Sequence, residues 1–474
     1  MSNLIGDGEN RWKVPRTGDM NVEARVYMNR LLKRDHLEEG ALDQLRDAAT
    51  LPGLLDPIVG MPDLHQGYGL PIGGVMALRA EEEDLDRSVV SAGAVGYDIN
   101  CGVRLLSTDL EASDLDADDL HALLARIVSR IPAGVGKSSA RHSLGIDFGD
   151  VVTRGARALV GAGYGRREDL DGIEESGEMP GADPDAVTRR ARERADQLAT
   201  IGGGNHFIEI GEIASIYDPD VAHSFGLYPG RLSVMIHTGS RGFGHEICGH
   251  YSGLMARAAS DYGIRLPNKG LACVPIGSRE GRNYLAAMVC AVNYAFANRQ
   301  LMTHEVRRAF EDFFGREPGL AVVYDVAHNI AKFERHRGAR TLVHRKGATR
   351  ALPPGHPDNP DRYRETGHPA IIPGSMGTSS YVVVGTPDTE ETYYSVNHGA
   401  GRIMSRGQAR KTIDLEEFRR QLGDVVYGGV APQKVIDEAP GAYKDIDEVV
   451  DSLADIGITK KVARLRPLAV IKGS

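Results

Sequence analysis

Four histidines in this chain each sit in a turn punctuated by glycine or asparagine: GGGNHF at His206, HTGSRGFGH beginning at His237, VAHN at His328 and NHGAGR at His398. A fifth turn, DINCGVR, holds Asp98 and Cys101. Imidazole, thiolate and carboxylate together suit borderline metals such as Mn, Fe, Co or Zn, and glycines beside them let the backbone approach an anion closely. The motifs run from Asp98 to His398 with no Pro/Ser-rich linker between them, so a shared site requires distant segments to converge. That favours one large interleaved domain spanning residues 1–474, although length alone would allow about three at roughly 150 residues each.

Gly accounts for 57 of the 474 residues, against a usual share of about 7%. Loops should therefore carry the function. The 4 Cys (Cys101, Cys248, Cys273, Cys290) show no CxxC spacing, which argues against a disulfide framework or a zinc ribbon and for a reducing cytoplasm. The N-terminal stretch has no apolar h-region and Leu285 to Val292 is too short to span a bilayer, so neither secretion nor a membrane is expected. A net charge of −9 argues against general coating of nucleic acid. One local exception is the acid-free stretch RHRGARTLVHRKGATR from Arg335 to Arg350, read as a phosphate-binding track.

Hydrophobic spacing predicts a helix after Ser113 that Pro132 ends, a second from about Ala186 to Ala199, and a long one from about Tyr284 to Phe314. Strands are expected near Val103 to Ser107, Phe207 to Ile210, Leu232 to Ile236, Leu320 to Val323, Tyr381 to Val384 and Thr392 to Val396. Helices and strands do not alternate regularly. The expected class is α+β, with mixed β-sheets and flanking helices around a central metal and nucleotide cleft.

Asp98 and Cys101 can supply a carboxylate and a bridging thiolate, and His206, His237 and His328 the imidazoles of a two-metal site. His65, in PDLHQGYGLPIGG, is placed as a group that orients a ligand. His398 differs. Gly399 and Gly401 open space for a phosphate, Arg402 offers a guanidinium fork, and an imidazole nitrogen can attack phosphorus; the other reading makes His398 a fourth imidazole ligand. The loop PGSMGTSSY offers backbone amides and the hydroxyls of Ser375, Thr378, Ser379 and Ser380 to a nucleotide. GVGKS at Gly134 to Ser138 is not a Walker motif because Ile131 occupies the first glycine position, and no Lys-x-Asp-Gly nucleophile occurs.

Together these motifs resemble the RtcB family of RNA-splicing ligases. The likeness runs from MPDLHQGYGLPIGG through DINCGVR, GNHFIEI, HTGSRGFGH, NYAFANRQ, AHN, HRKGATRA, IIPGSMGTSSYVVVG and HGAGRIMSR to VIKGS. The resemblance implies GTP and two Mn²⁺ per chain, the metals held by Asp98, Cys101, His206, His237 and His328. It implies a guanylyl group on His398, with Asn205, Glu209, Ser375, Ser380, Tyr443 and Lys472 around the guanylate and Arg241 and Arg402 facing phosphates. RNA with 3′-phosphate or 2′,3′-cyclic phosphate ends and 5′-hydroxyl ends is the implied substrate, and an archease-type activating protein the implied partner. Two other enzymes would fit the same residues: a paralogue that only caps 3′-phosphates with GMP, and a metal-dependent phosphoesterase. An RNA-binding protein without chemistry would leave the nucleophile and ligand set surplus.

Overall fold

Alternation along four long strands builds the centre of the molecule. In a computed structural model, which describes residues 4–134, 136 and 145–473, the strands Ala321–Ala327, Gly102–Glu111, Arg231–Thr238 and Phe207–Ile216 lie side by side in that order, each antiparallel to its neighbour. Thr459–Lys472, Ser380–Gly385 and Ala370–Ile372 extend the sheet, and Val426–Gly429 adds a parallel pairing to Thr459–Lys472. Side chains point alternately to the two faces. Leu106, Ile208, Ile210, Val234 and Ile236 join one apolar cluster with the helices, whereas Val103, Leu105, Phe207 and Met235 join another with Val59, Val75 and Val343 of a second sheet.

That second sheet has seven strands, running from Ile5–Gly6 through Ile58–His65, Ile72–Arg79 and Ala339–Lys346 to Asn329–His336. One of its pairings, Ala24–Tyr27 with Ile58–His65, is parallel. Its outer face is covered by the helix Glu39–Ala48 through Leu42 and Leu45. The result is an α+β architecture with two mixed sheets packed face to face and helices flanking them. Among the described residues, no helix is long and apolar enough to cross a membrane.

The long helix Arg279–Phe314 starts five residues before its expected position because Ser278 caps it, its Oγ accepting from Gly281 N at 3.0 Å. The helix expected after Ser113 spans Ala117–Arg130 and is capped by an Asp116/Asp119 box. The helix expected over 186–199 is only one turn, Arg189–Arg192. Beyond it the backbone finds distant partners instead: Gln197 N donates to the Tyr294 hydroxyl and Ile201 N to Pro132 O, and Ala199 takes φ 51°. Thr392 closes a 3₁₀ turn, so the strand expected there is only Ser395–Asn397. Gly134 and Gly136 apart, the GVGKS stretch lies outside the described residues.

The basic stretch is the largest departure. Rather than an exposed track, it forms parts of three strands, Asn329–His336, Ala339–Lys346 and Ala348–Arg350, and charges on them are buried and paired. Arg345 grips Glu334 at 2.6 and 2.9 Å, and Arg350 pairs with Glu174 at 3.3 Å. Only Lys346 and Gly347 reach the cleft described below.

A second buried network ties the helix to the sheet. Arg299 and Arg104 both bind the carboxylate of Asp325, at 2.7 and 2.8 Å. Asp325→Ala would leave two guanidinium groups buried without their counter-charge. Breaking such a pair typically destabilises by roughly 3–5 kcal/mol, so chemical denaturation of this variant should show a loss of that size or no cooperative transition.

Candidate functional site

Strand register brings the metal-type residues together. Val103 pairs with His237, His237 with Phe207, and Gly102 with Ala327. Cys101, His206 and His328 each lie one residue outside those pairs, so all four donors meet at one end of the sheet. The DINC segment completes the cluster as a turn, with Cys101 N donating to Asp98 O at 2.9 Å. Asn100 within it has φ 51°, a left-handed conformation that asparagine tolerates better than most residues.

Cys101 Sγ lies 3.3 Å from His206 Nε2 and 3.4 Å from His237 Nε2. His237 Nε2 lies 3.3 Å from His328 Nε2, and Asp98 Oδ2 is 2.7 Å from His206 Nε2. Two donor groups result, one of Cys101, His237 and His328 and one of Asp98, Cys101 and His206, the atoms of each lying within 4.8 Å of one another. Cys101 belongs to both, which suits a thiolate shared between two cations. Burial, reinforced by neighbouring histidines, pushes His237 and His328 well below the ordinary imidazole value, so each offers a neutral lone pair. Burial, with Asp98 adding to it, raises the Cys101 thiol well above its usual value; ionising it requires a nearby cation. Burial opposes ionisation of Asp98, but the His206 ring outweighs it and holds the carboxyl below the usual range. Asp98 Oδ1 is buried with no hydrogen-bond partner among the described residues, and a bound ion would satisfy it.

His398 stands beside this cluster, its ring centroid 5.0 Å from that of His328. Asp63 Oδ2 accepts from His398 Nδ1 at 2.6 Å, from its backbone N at 2.9 Å and from Gly399 N at 3.3 Å. A carboxylate only accepts, so in the neutral ring Nδ1 carries the proton and Nε2 the lone pair. Asp63 was not singled out from the sequence, although its motif was; the Pro-Asp-Leu-His spacing drew attention to His65 instead. His65 is buried, held neutral by burial at a value of about 4, and its Nδ1 contacts the Asp63 carbonyl at 2.8 Å. Gly401, at φ 76°, admits the Asp63 backbone: a Cβ there would sit 2.4 Å from Asp63 O.

A cleft of about 840 Å³ opens over these groups. Asp98, Cys101, Asn205, His206, His237, Arg241, His328 and His398 all line it. The remaining predicted residues are not among those that line it. Arg402 is engaged by Glu438 at 3.3 Å, the Tyr443 hydroxyl at 3.0 Å and Asp437 O at 2.6 Å. Lys472 Nζ is 3.6 Å from Glu438 and donates to Gly204 O at 3.2 Å. Ser380 Oγ accepts from Gly374 N at 3.1 Å and Ser375 N donates to Thr378 Oγ1 at 2.7 Å, both closing the PGSMGTSSY loop on itself. Glu209 is buried one strand away from Lys472, opposite Val470. Sequence reasoning also missed Arg406, Arg410 and Lys434, which line the cleft. Arg406 closes the HGAGRIMSR motif without having been singled out, Arg410 and Lys434 belong to no quoted motif, and their clustering depends on the fold of residues 405–438.

The family model described as tRNA-splicing ligase RtcB matches residues 44–473. The chain is 43% identical to the tRNA-splicing ligase RtcB of Thermococcus kodakarensis, covering 98% of this chain and 97% of that protein. It is 44% identical to the protein of that name from Nanoarchaeum equitans over 98% of both chains. It is 43% identical to the RNA-splicing ligase RtcB of Mycobacterium bovis over 91% of this chain and all of that one.

Glu209 supplies a pH test of the wall. Burial pushes its carboxyl up to about 8, with Lys472 opposing. The stabilisation belonging to a folded-state value raised in this way is complete below the unfolded value of 4.5 and is lost as pH rises through about 8. Glu209→Gln should therefore match the wild type in stability near pH 4.5, gain on it steadily up to about pH 8, and hold a constant advantage above; denaturation midpoints across that range are the measurement.

Proposed function

Because the chain belongs to the RtcB family of tRNA-splicing ligases, we propose that it is an RNA ligase that uses GTP and Mn²⁺ to join 3′-phosphate or 2′,3′-cyclic phosphate ends to 5′-hydroxyl ends. The observation that carries this reading is the Asp63–His398 pair, which leaves an imidazole Nε2 with a free lone pair in the same cleft as the metal-type donors. Asp98, Cys101, His206, His237 and His328 are assigned to two Mn²⁺ ions, which when bound neutralise phosphate charge.

In the proposed sequence, water opens a cyclic phosphate to the 3′-phosphate. His398 Nε2 attacks the α-phosphorus of GTP, forming a P–N bond as pyrophosphate leaves. A 3′-phosphate oxygen then attacks the same phosphorus, and His398 departs carrying back its lone pair. Finally the 5′-hydroxyl oxygen attacks the RNA phosphorus, losing its proton as GMP is expelled. Asp63 keeps Nδ1 protonated throughout and so fixes which nitrogen reacts. Asn205, Glu209, Ser375, Ser380, Gly399, Gly401, Arg402, Tyr443 and Lys472 are assigned to the guanylate, Arg402, Tyr443 and Lys472 acting with Glu438 as one ion-paired wall. The four cysteines are free and buried, which fits a reducing cytoplasm.

Incubating a 3′-phosphate RNA with a 5′-hydroxyl RNA, GTP and Mn²⁺ should yield joined product; capped or dephosphorylated ends alone would replace ligation with one of the two simpler activities. With α-labelled GTP the protein should acquire an acid-labile, alkali-stable label. His398→Ala should lose the label, keep its metals, and still join RNA supplied with a 3′-guanylylated end. Cys101→Ala is expected to lose the second Mn²⁺ first, because no other side chain belongs to both donor groups; two full equivalents of tightly bound Mn²⁺ by metal analysis would remove the bridging role.

A further inference from the structure

Two tyrosines at the cleft are given no part in the chemistry above. Tyr68 and Tyr97 are 43% and 38% exposed, yet both line the cleft. Their ring centroids are 5.5 Å apart, and the ring of His245, which also lines the cleft, lies 5.7 Å beyond Tyr97. Three neighbouring rings open to solvent on a cleft wall are poorly explained by packing.

The backbone beneath them is held firmly. Lys346 Nζ donates to the Tyr68 carbonyl and, at 3.0 Å, to that of Gly93. Gly69 has φ 79°, and a Cβ there would come 2.3 Å from Gly270 O, so this turn packs closely against Gly270. Tyr97 directly precedes Asp98, which places a ring one residue from the metal-type donors. Cationic side chains of Arg194, Arg241 and Lys434 line the same cleft. Aromatic faces beside cations are the means by which single-stranded nucleic acid is held without sequence preference, the bases stacking and the phosphates pairing with the charges.

We infer that Tyr68, Tyr97 and His245 form a stacking platform for a nucleobase near the reacting end of an RNA strand. The platform rests on the RNA-ligase reading and adds a base subsite that accepts any of the four bases. A nucleobase is the occupant because the rings open into the cleft that holds the donors and because the nearby cations match its phosphates.

The test is fluorescence anisotropy of a short single-stranded RNA ending in a 3′-phosphate, with Mn²⁺ and without GTP, against the wild type, Tyr68→Ala, Tyr97→Leu and the two Phe variants. Each aromatic loss should weaken binding roughly 10-fold, while Tyr68→Phe and Tyr97→Phe bind as wild type. RNA with abasic residues at its last two positions should bind the wild type as weakly as ordinary RNA binds the Ala and Leu variants, with no further loss when both changes are combined. Variants that bind like wild type, or that lose the same factor on ordinary and abasic RNA, overturn the platform. A wild type that binds neither RNA overturns the RNA-ligase reading itself, a separate result. Manganese content reports whether Tyr97→Leu disturbs Asp98; if it does, Tyr68→Ala alone decides.

Discussion

Arg299 is the interaction on which the site depends. Fully buried in the middle of the long helix, it binds Asp325 and sends its other nitrogens to Asn100 O at 2.9 Å, Thr238 O at 2.8 Å and Asn100 Oδ1 at 3.0 Å. Asn100 precedes Cys101 and Thr238 follows His237. One guanidinium therefore fixes the backbone next to two of the metal-type donors, with Asp325 supplying the counter-charge. A buried charge is tolerated only when its donors are satisfied, and here the groups that satisfy it are the turns that must be held. Lysine, with a single ammonium, could not span those carbonyls.

Like donors crowd together at the centre. Three imidazole Nε2 atoms, a thiol and a carboxylate point at one another, and Asp98 Oδ1 lacks a hydrogen-bond partner among the described residues. Asn100 and Arg241 add left-handed backbone at φ 51° and 57°, conformations that persist only where the surroundings impose them. Such a cluster opposes folding locally and is kept by the sheet around it. Cations would convert mutual crowding into coordination, and their binding would then be coupled to folding.

Much of this was legible in the sequence because the donors sit at strand ends. Val103, Phe207, Met235 and Val326 alternate or run apolar beside glycine turns, which marks both the strand and the residue that terminates it. The order of strands was not legible, since pairings such as Gly102 with Thr238 and with Ala327 join residues far apart in the chain. Asp63 was hidden by its own motif: a carboxylate next to proline reads as a turn residue until His398 arrives from 335 positions away. The basic stretch misled for the opposite reason. Arg345 and Arg350 are charged residues on strands whose partners, Glu334 and Glu174, follow no local spacing rule; charge density alone does not distinguish a solvated track from a buried ion-pair network.

The long separation between interacting pieces also says how the site comes into being. Cys101, His206, His237, His328 and His398 belong to segments that meet only when four antiparallel strands and the Asp63 strand of the other sheet are in place. His398 follows the strand Ser395–Asn397, whose Asn397 pairs with Ala348, and Ala348 N donates to His328 O at 3.1 Å, so a short two-stranded pairing carries the His398 ring beside His328, while Asp63 comes to it from the second sheet. Interiors are close-packed and deform little, so the apolar layer between the two large sheets holds the Asp63 strand at a fixed separation from the donor strands. A change in the volume of Val103, Val59 or Met235 would therefore shift Asp63 relative to the donor strands without touching any polar group of the site.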